Sequence, residues 1–256
     1  MDCYVINLDR SPDRLAQMER EFNRLHLNFI RIAAVDGNHL SEYDFHKHAG
    51  PRNLSRPQVG VLLSHQKCWQ IFSESPAKYC AIFEDDVHLS YELKKYLDEI
   101  EKENLEFDVL KIETARKKIL ISRKPILQIL IRKIKKIGSY HVGAAGYVLH
   151  RSFLKKLTQL KQIADTIPVD EYLFEYLIEH AHIVQLTPAL VIQDQADGVT
   201  ERTNTKSLIA QESRAKKRKN FLSKLFREIK RPLTQIILFR FGLKLYHFKN
   251  EKIDFV

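Results

Sequence analysis

Residues 3–37 read CYVINLDRSPDRLAQMEREFNRLHLNFIRIAAVDG and contain two apolar runs on either side of an amphipathic segment. The runs at 3–8 and 29–35 are short and rich in β-branched residues, as buried strands are. Between them, Ser11 and Pro12 form a helix-start signal, after which apolar residues recur at steps of three and four. A strand, a helix and a second strand in this order predict a βαβ unit and hence a parallel sheet.

The same alternation continues beyond this unit. Apolar runs typical of strands alternate with amphipathic segments typical of helices, until a glycine-rich strand leads into a helix from Ser152. This pattern predicts one doubly wound α/β domain over residues 1–202, followed by a tail at 203–256. The further predicted helices are 58–72 and 91–103, and the further predicted strands are 79–83, 107–112 and one within 138–149.

The net charge of +10 is unevenly distributed along the chain. Residues 1–202 contain 28 basic and 28 acidic side chains, whereas residues 203–256 contain 14 basic and 4 acidic ones. A second basic segment lies within the neutral body. Apolar and cationic residues alternate in 126–137 and in the tail from Lys216, and we interpret both segments as surface helices that contact anionic membranes.

Neither end of the chain predicts a membrane-spanning or secreted protein. The tail's longest apolar run, IILF at 236–239, is far shorter than the roughly 20 residues that a transmembrane helix needs. The opening MDCYVINLDR lacks the basic start and the length of a secretory signal, which predicts a cytoplasmic protein. Cys3, Cys68 and Cys80 lie far apart in apolar contexts, so we expect buried free thiols rather than a disulfide framework.

Three of the predicted strands end in polar residues. In open α/β sheets, ligands bind outside the carboxyl ends of the strands, so the three ends could line one crevice. Taken singly, each is also compatible with an ordinary solvated turn. The strand ends are Asn7-Leu8-Asp9-Arg10, Asp36-Gly37 and Glu84-Asp85-Asp86.

The acidic strand end at 84–86 suits a hard divalent cation. Mn²⁺ and Mg²⁺ take oxygen ligands and often bind with one or two carboxylates together with phosphates, which makes a diphosphate a fitting partner. The sequence has neither a GxxxxGK[ST] loop nor a GxGxxG turn after a strand, so the phosphates would be held by the cation and by arginines. Arg10 and Arg14 lie directly after the first strand.

Six segments are informative in their order and spacing: YVINLDRSPDRLAQMEREF, FIRIAAVDG, VGVLLSHQKCWQIF, YCAIFEDDV, GAAGYVLHRSFLKKL and PVDEYLF. Together they resemble glycosyltransferase family 25, the lipooligosaccharide galactosyltransferases of Gram-negative bacteria. The resemblance covers residues 3–195. The combination of NLDRSPDR, LLSH and FEDD is specific, whereas EDD alone is not.

The resemblance implies a GT-A-type, Rossmann-like domain that binds a UDP-sugar, usually UDP-galactose, and transfers the sugar to a glycan hydroxyl with inversion. Glu84-Asp85-Asp86 then stands in the position of a DxD motif, in which Asp86 would ligate Mn²⁺. Glu84 and Asp85 would hold ribose hydroxyls or metal-bound water, and direct ligation by Glu84 stays open because the motif usually begins with Asp. The residues implied in the nucleotide-sugar pocket are Asn7, Arg10, Arg14, Asp36 and Gly37, with Ser64 and His65 of LLSH either supporting the carboxylates or packing their helix.

An inverting transfer needs a general base, because the acceptor hydroxyl must lose its proton as the new bond forms. Asp170, within IPVDEYLF at 167–174, is our candidate. It lies between an extended Ile-Pro pair and a helical run, where a carboxylate can project from a helix start. Glu171 is the alternative base, and a purely structural role for Asp170 as a helix N-cap is the other interpretation.

These observations predict a metal-dependent glycosyltransferase of surface glycolipid synthesis, with Mn²⁺ or Mg²⁺ as cofactor. The expected partners are a UDP-sugar and an anionic lipooligosaccharide acceptor. We expect the protein to lie on the inner face of the inner membrane and to contact it through the basic tail. The alternatives are a metal-dependent phosphodiesterase or nuclease and a non-catalytic nucleic-acid-binding protein. We expect no nucleic-acid partner, because the chain lacks an aromatic and basic RNA motif and has few further acidic or histidine ligands near the cluster.

Overall fold

The computed structural model describes residues 1–159, 167–194 and 247–256. Its first three elements are strand β1 (Asp2–Asn7), helix α1 (Pro12–Arg24) and strand β2 (Ile30–Ala33). The two strands are parallel neighbours, with Ile6 opposite Ile32. The predicted βαβ unit is therefore confirmed.

The remaining elements follow the predicted alternation at first and then depart from it. Helices α2 to α6 span Glu42–Ala49, Arg56–Glu74, Leu93–Lys102, Ser152–Gln159 and Val169–Phe174. Strands β3 to β7 span Tyr79–Glu84, Val87–Leu89, Val109–Lys111, Glu113–Thr114 and Lys118–Ser122. Strands β8 to β13 span Leu127–Ile129, Arg132–Lys136, Gly146–His150, Ile183–Thr187, Val191–Gln193 and Phe248–Lys252.

The centre of the fold is an eight-stranded sheet in the order β2-β1-β3-β10-β5-β11-β9-β8. Strands β10 and β9 each pair antiparallel with both of their neighbours, and the other pairings are parallel. Six of these eight strands consequently run in one direction, which confirms the predicted, mostly parallel α/β sheet.

Helices cover both faces of this sheet because the strand side chains alternate between two apolar clusters. Val5 and Phe83 point to the face that packs against α1 and α4, where Phe22 and Tyr96 are fully buried. The opposite face packs against α3, α5 and α6, and its largest buried side chain is Trp69. Cys3, Cys68 and Cys80 lie in these layers as buried free thiols, as predicted, and burial raises the pKa of each.

Two smaller sheets extend the domain. One has the order β4-β12-β6 and places Gln193 opposite Val87, beside the acidic strand end. The other joins β13 to β7 in an antiparallel pair. The C-terminal residues thereby pack on the body: Ile253 is buried, and its carbonyl accepts a hydrogen bond from the Thr114 hydroxyl at 2.7 Å.

The prediction of a surface helix at 126–137 is wrong, because this segment forms strands β8 and β9. Two of its cations are buried rather than solvated. The Arg132 guanidinium donates to the carbonyl oxygens of Pro188 and Ala189, at 3.0 and 2.9 Å, and pairs with Glu92. Lys135 pairs with Glu251 at 2.9 Å. Partners distant in the chain thus neutralise charges that the local pattern would expose on a helix.

The predicted tail at 203–256 falls largely outside the described residues, and of it only 247–256 can be placed. These residues carry β13 and pack on the domain rather than forming a helix. The basic segment from Lys216 to residue 246 lies outside the described residues. Within the described ranges, every helix is too short or too polar to cross a bilayer.

Candidate functional site

The ends of β1 and β3 meet at one edge of the sheet, as predicted. The two strands are parallel neighbours with Ile6 opposite Glu84, so the residues that follow each strand lie side by side. The Asn7 amide, which is buried, donates to Asp85 Oδ2 at 2.7 Å and to the Ser11 carbonyl at 3.0 Å. Asn7 thus joins the start of α1 to the acidic strand end.

Arg14 projects from the first turns of α1 onto the same carboxylate. Its Nη1 lies 2.9 Å from Asp85 Oδ1 and 3.9 Å from Asp86 Oδ2. Burial alone would lower the pKa of Arg14, but the charges of Asp86 and Asp85 outweigh it and raise that pKa. Both Asp85 oxygens accept hydrogen bonds from protein groups, which gives Asp85 the geometry of a clamp.

Asp86 has weaker protein partners than Asp85. Its Oδ1 accepts from the Gln193 amide at 3.3 Å, and Arg14 lies at ion-pair rather than hydrogen-bond distance. Burial and then the charge of Glu84 raise the pKa of Asp86 to about 7, although Arg14 opposes the shift. A positive charge bound beside Asp86 would reverse this effect.

Glu84 is connected to the core by three successive hydrogen bonds. The Tyr147 hydroxyl accepts from the Trp69 indole at 3.0 Å and lies 2.7 Å from His65 Nδ1, a geometry that suits donation of its own proton to that nitrogen. His65 is then neutral and carries its proton on Nε2, which faces Glu84 Oε1 at 3.3 Å. Burial lowers the pKa of His65 to about 4, which agrees with the neutral form.

Repulsion and burial act on Glu84 as well. Burial, followed by the charges of Glu113, Asp85 and Asp170, raises the pKa of Glu84 to about 8, and Lys111 opposes the shift. Of its two oxygens, Oε1 accepts from His65 and Oε2 from the Gln193 amide at 3.2 Å. The support of the carboxylates by His65, one of the two roles that the sequence left open, is present in this geometry.

The loop after β2 lies close against α3. Gly37 is required there, because a Cβ atom would lie 1.7 Å from the Arg56 carbonyl oxygen. Ser64 fixes the same contact: its hydroxyl accepts from the Val35 amide at 2.8 Å and donates to the Gly60 carbonyl at 2.6 Å. Ser64 therefore has a structural role in this geometry.

Asp36 and Arg10 form an ion pair between the loop after β2 and the end of β1. Asp36 also caps the short 3₁₀ turn Gly37–His39 by accepting from the Asn38 amide at 3.1 Å. Arg31 of β2 adds a further link by donating to Asn7 Oδ1 at 3.0 Å. The first two strand ends are thus joined through charged and polar side chains.

Asp170 lies in the first turn of α6, and Pro168 rather than Asp170 is the N-cap. Its Oδ2 accepts from the Tyr140 hydroxyl at 2.6 Å and from the Gly143 amide at 3.2 Å. Its charge also contributes to the pKa shifts of Glu84 and His65, so it belongs to the same electrostatic environment. Glu171, the alternative base, pairs with Arg52.

A buried ion pair that the sequence reasoning missed supports this region. Lys111 Nζ lies 3.3 Å from Glu113 Oε2 and donates to the carbonyl oxygens of Val142, at 3.0 Å, and Gly143. Glu113 Oε2 also accepts from the Ala145 amide at 2.8 Å. The pair therefore shapes the segment whose Gly143 amide binds Asp170. The signal for it was an i, i+2 Lys and Glu on one face of an apolar strand, in VLKIET.

The carboxylates of the acidic strand end can be compared with the ligands that a hard cation prefers. No cluster of three or more metal-binding side chains is found among residues 1–159, 167–194 and 247–256. The chemistry of the donor set suits a hard cation, since Glu84 and Asp86 offer carboxylate oxygens. Burial and mutual repulsion raise the pKa of both carboxyl groups, and a bound cation would stabilise their negative charges. Such a site would be completed by phosphate oxygens.

Comparison with known proteins gives a consistent result. Residues 1–173 match the model of "Glycosyltransferase family 25 (LPS biosynthesis protein)". A putative glycosyltransferase of Haemophilus influenzae is 29% identical over 199 residues, which cover 75% of this chain and 70% of that protein. The procollagen galactosyltransferase 1-A of Xenopus laevis is 25% identical over 187 residues, which cover 67% of this chain and 30% of that protein. The chain thus spans less than a third of the length of that animal relative.

One solved structure is similar in outline. It is described as a glycosyltransferase involved in the glycosylation of the major capsid of PBCV-1, with a TM-score of 0.42 and 11% identity. The match covers 79% of this chain and 98% of that chain.

Proposed function

The chain belongs to glycosyltransferase family 25, and from this premise we propose that it transfers a sugar, galactose in the first instance, from a UDP-sugar to the glycan of a lipooligosaccharide. The transfer would be metal-assisted and would invert the anomeric centre. The names of the relatives support the choice of galactose, and the family's description supports a lipopolysaccharide acceptor.

The observation that carries this proposal is that the protein holds Asp85 firmly and Asp86 only weakly. Asn7 and Arg14 occupy both oxygens of Asp85, so Asp85 fixes the backbone turn. Asp86 is held by weaker contacts at 3.3 and 3.9 Å, and it lies where the strand ends meet. A weakly engaged carboxylate with Arg14 nearby suits a site that binds a diphosphate together with a divalent cation.

The chain's own groups would bind the donor as follows. Asp86 would hold Mn²⁺ or Mg²⁺, which, when bound, neutralises the charge that develops on the departing diphosphate. Arg10, Arg14 and the loop at Asp36-Gly37 would surround the nucleotide. Glu84, kept in place by His65 and Gln193, would accept hydrogen bonds from ribose hydroxyls.

Asp170 would act as the general base toward the acceptor hydroxyl. Hydrogen bonds from Tyr140 and Gly143 to Oδ2 orient its carboxylate, and a carboxylate retains further lone pairs for the incoming proton. Its competitor Glu171 is already engaged in an ion pair with Arg52. Asp170 is therefore the better candidate of the two.

We further propose that the enzyme works on the cytoplasmic face of the inner membrane, where the anionic acceptor is made, and that the basic tail contacts that membrane. The charge count supports this, since residues 203–256 account for the entire +10.

A donor screen tests the proposed activity. The full chain would be incubated with several UDP-sugars, with Mn²⁺ or with a chelator, and released UDP would be measured with and without a lipooligosaccharide acceptor. We expect Mn²⁺-dependent UDP release with UDP-galactose. UDP release that is equal with chelator would contradict the role of a cation, and cleavage of short RNA instead would favour a nuclease.

A further inference from the structure

Lys111, at the end of β5, is fully buried, which is rare for a lysine. Its ammonium group donates to the carbonyl oxygens of Val142, at 3.0 Å, and Gly143, and it lies 3.3 Å from Glu113 Oε2. These three acceptors match the three protons of an ammonium group. Lys111 is therefore closed off from any substrate, and what it can do is fix the residues around it.

The two parts of the chain that define the position of Asp170 meet at Lys111. Helix α6 carries Asp170, and the Phe174 ring on the same helix lies 4.1 Å from Lys111 Nζ, in cation–π contact. The segment before β10 binds Asp170 Oδ2 through the Tyr140 hydroxyl, at 2.6 Å, and the Gly143 amide, at 3.2 Å. Lys111 holds the carbonyl oxygens of that segment. One ammonium group thus contacts both the helix that carries the carboxylate and the segment that binds it.

The segment before β10 has little freedom to shift. Gly143 has a φ of 88°, a conformation that other residues rarely adopt. A Cβ atom at Gly143 would also lie 2.4 Å from Glu113 Oε1, and Glu113 Oε2 accepts from the Ala145 amide at 2.8 Å. Glu113 therefore confines the segment from one side, while Lys111 holds its carbonyl oxygens.

The charge of Lys111 acts on Asp170 as well as on Glu113. Burial lowers the pKa of Lys111, and the charges of Glu113 and then of Asp170 oppose this shift. A purely structural ion pair would need Glu113 alone. The coupling to Asp170 indicates that Lys111 serves the site as well as the core.

We propose that Lys111 is a positioning residue for Asp170: it holds the segment before β10 against α6, so that Tyr140 and Gly143 keep the Asp170 carboxylate in one orientation. This inference rests on the proposed role of Asp170 as the general base. The competing explanation is that Lys111 only neutralises Glu113. In that case, removal of both charges together should leave the reaction intact.

Three variants of the full chain separate these explanations. Lys111→Met removes the ammonium group, Glu113→Gln removes the negative charge, and the double variant removes both. The double variant leaves no unpaired charge in the core, and such neutral replacements of a buried pair often keep the fold. It carries the test should Lys111→Met fail to fold. Lys135→Met is the matched control, because Lys135 of β9 is also buried and pairs with Glu251 at 2.9 Å.

Turnover and donor affinity are measured for each variant, as UDP release on a lipooligosaccharide acceptor and as calorimetric UDP binding with Mn²⁺. Turnover should fall by about 10-fold to 100-fold in Lys111→Met and in the double variant, because a misplaced carboxylate no longer meets the acceptor hydroxyl. UDP affinity should stay nearly constant, since Asp170 does not bind the diphosphate. Glu113→Gln and Lys135→Met should keep most of their turnover. Recovery of turnover in the double variant would overturn the proposal.

Hydrogen exchange gives a second readout that needs no transferase activity. Mass spectrometry of the full chain would follow the backbone amides of residues 138–146. Their protection should fall by about tenfold in Lys111→Met and in the double variant, and it should be unchanged in Lys135→Met. Unchanged protection in the first two variants would overturn the proposal. If the unchanged protein released no UDP from any donor, the proposed function would fail, and the exchange result would still decide whether Lys111 fixes the segment that binds Asp170.

Discussion

The Tyr147 hydroxyl and His65 Nδ1 lie 2.7 Å apart, and the opposite ring nitrogen, Nε2, lies 3.3 Å from Glu84 Oε1. The same hydroxyl accepts from Trp69, and when it donates its own proton to Nδ1, the proton of His65 lies on Nε2 and is directed at Glu84. A residue in the middle of the core thereby controls the orientation of a carboxylate at the surface of the sheet edge.

Tyr147→Phe should therefore weaken donor binding without direct contact to the donor. The variant leaves the Trp69 indole unpaired and removes the hydroxyl that orients the His65 ring, so that Nε2 is held less firmly against Glu84. We expect a loss of about 1–3 kcal/mol in the free energy of unfolding and a severalfold weaker affinity for UDP. Urea unfolding and calorimetry measure the two quantities.

Tyr79→Phe is the matched control for that variant. Tyr79 is also buried, and its hydroxyl donates at 2.8 Å to the Leu105 carbonyl, away from the acidic strand end. It should lose stability but keep its UDP affinity. If both variants lost UDP affinity equally, the effect would be one of general stability and the orienting role of Tyr147 would be wrong.

The pH dependence of stability provides a test of the environment of Glu84. Its pKa in the folded protein is raised from 4.5 to about 8, so the folded state keeps a proton that the unfolded chain has already lost. The contribution of Glu84 to stability is therefore highest below pH 4.5, falls as the pH rises toward 8, and is constant above that. Glu84→Gln removes this dependence.

In a chelating buffer, the stability of Glu84→Gln relative to the unchanged protein should thus increase with pH. Each unit of pKa shift corresponds to about 1.4 kcal/mol, so the difference should grow by a few kcal/mol at most between about pH 5 and about pH 8.5. Urea unfolding of both proteins across this range measures it. Parallel curves would show that Glu84 has an ordinary pKa.

Asp85→Asn should act on the fold of the site rather than on the cation directly. The variant removes the ion pair with Arg14 and places an amide against the Asn7 amide, so we expect a loss of about 1–3 kcal/mol in the free energy of unfolding. Asp9→Asn is the control, because the Asp9 side chain is 79% exposed and its pair with Arg31 contributes little. Equal stability of the two variants in urea would contradict the clamp role of Asp85.

The fold was largely predictable from local sequence patterns, but the segment 126–137 was not. In strands such as β3 the apolar run is itself the signal, since a strand buried on both faces must be apolar throughout. Arg132 and Lys135 break that rule within β9. They are buried because Glu92 and Glu251, at 40 and 116 residues' distance, neutralise them. No local pattern contains that information.

Part of the candidate site was also predictable from the sequence. The proximity of Asn7 to Asp85 follows from the rule that parallel strands end at one edge, and it needs no coordinates. The contributions of Gln193 and Tyr147 could not be predicted, because they depend on strands β12 and β10 pairing beside the acidic strand end. Which carboxylate is held and which is left weakly engaged is likewise set by tertiary contacts alone.

Asp170→Asn tests the assignment of the general base. Because Asp170 has no place in the proposed binding of the diphosphate, the variant should keep near-normal UDP affinity and lose turnover by about 10² to 10⁴. Glu171→Gln, the neighbouring control, should keep most of its turnover because that residue is engaged by Arg52. Turnover is measured as UDP release on a lipooligosaccharide acceptor. Normal turnover in Asp170→Asn would assign the base role to another group.

The most direct test of the central claim is a calorimetric titration of UDP into the unchanged protein and into Asp86→Asn, each with Mn²⁺ and with a chelator. If Asp86 holds the cation that binds the diphosphate, Mn²⁺ should raise the UDP affinity of the unchanged protein by at least about tenfold and should have almost no effect on the variant. An equal gain from Mn²⁺ in both proteins would contradict the account, because the cation that binds the diphosphate would then be held without Asp86.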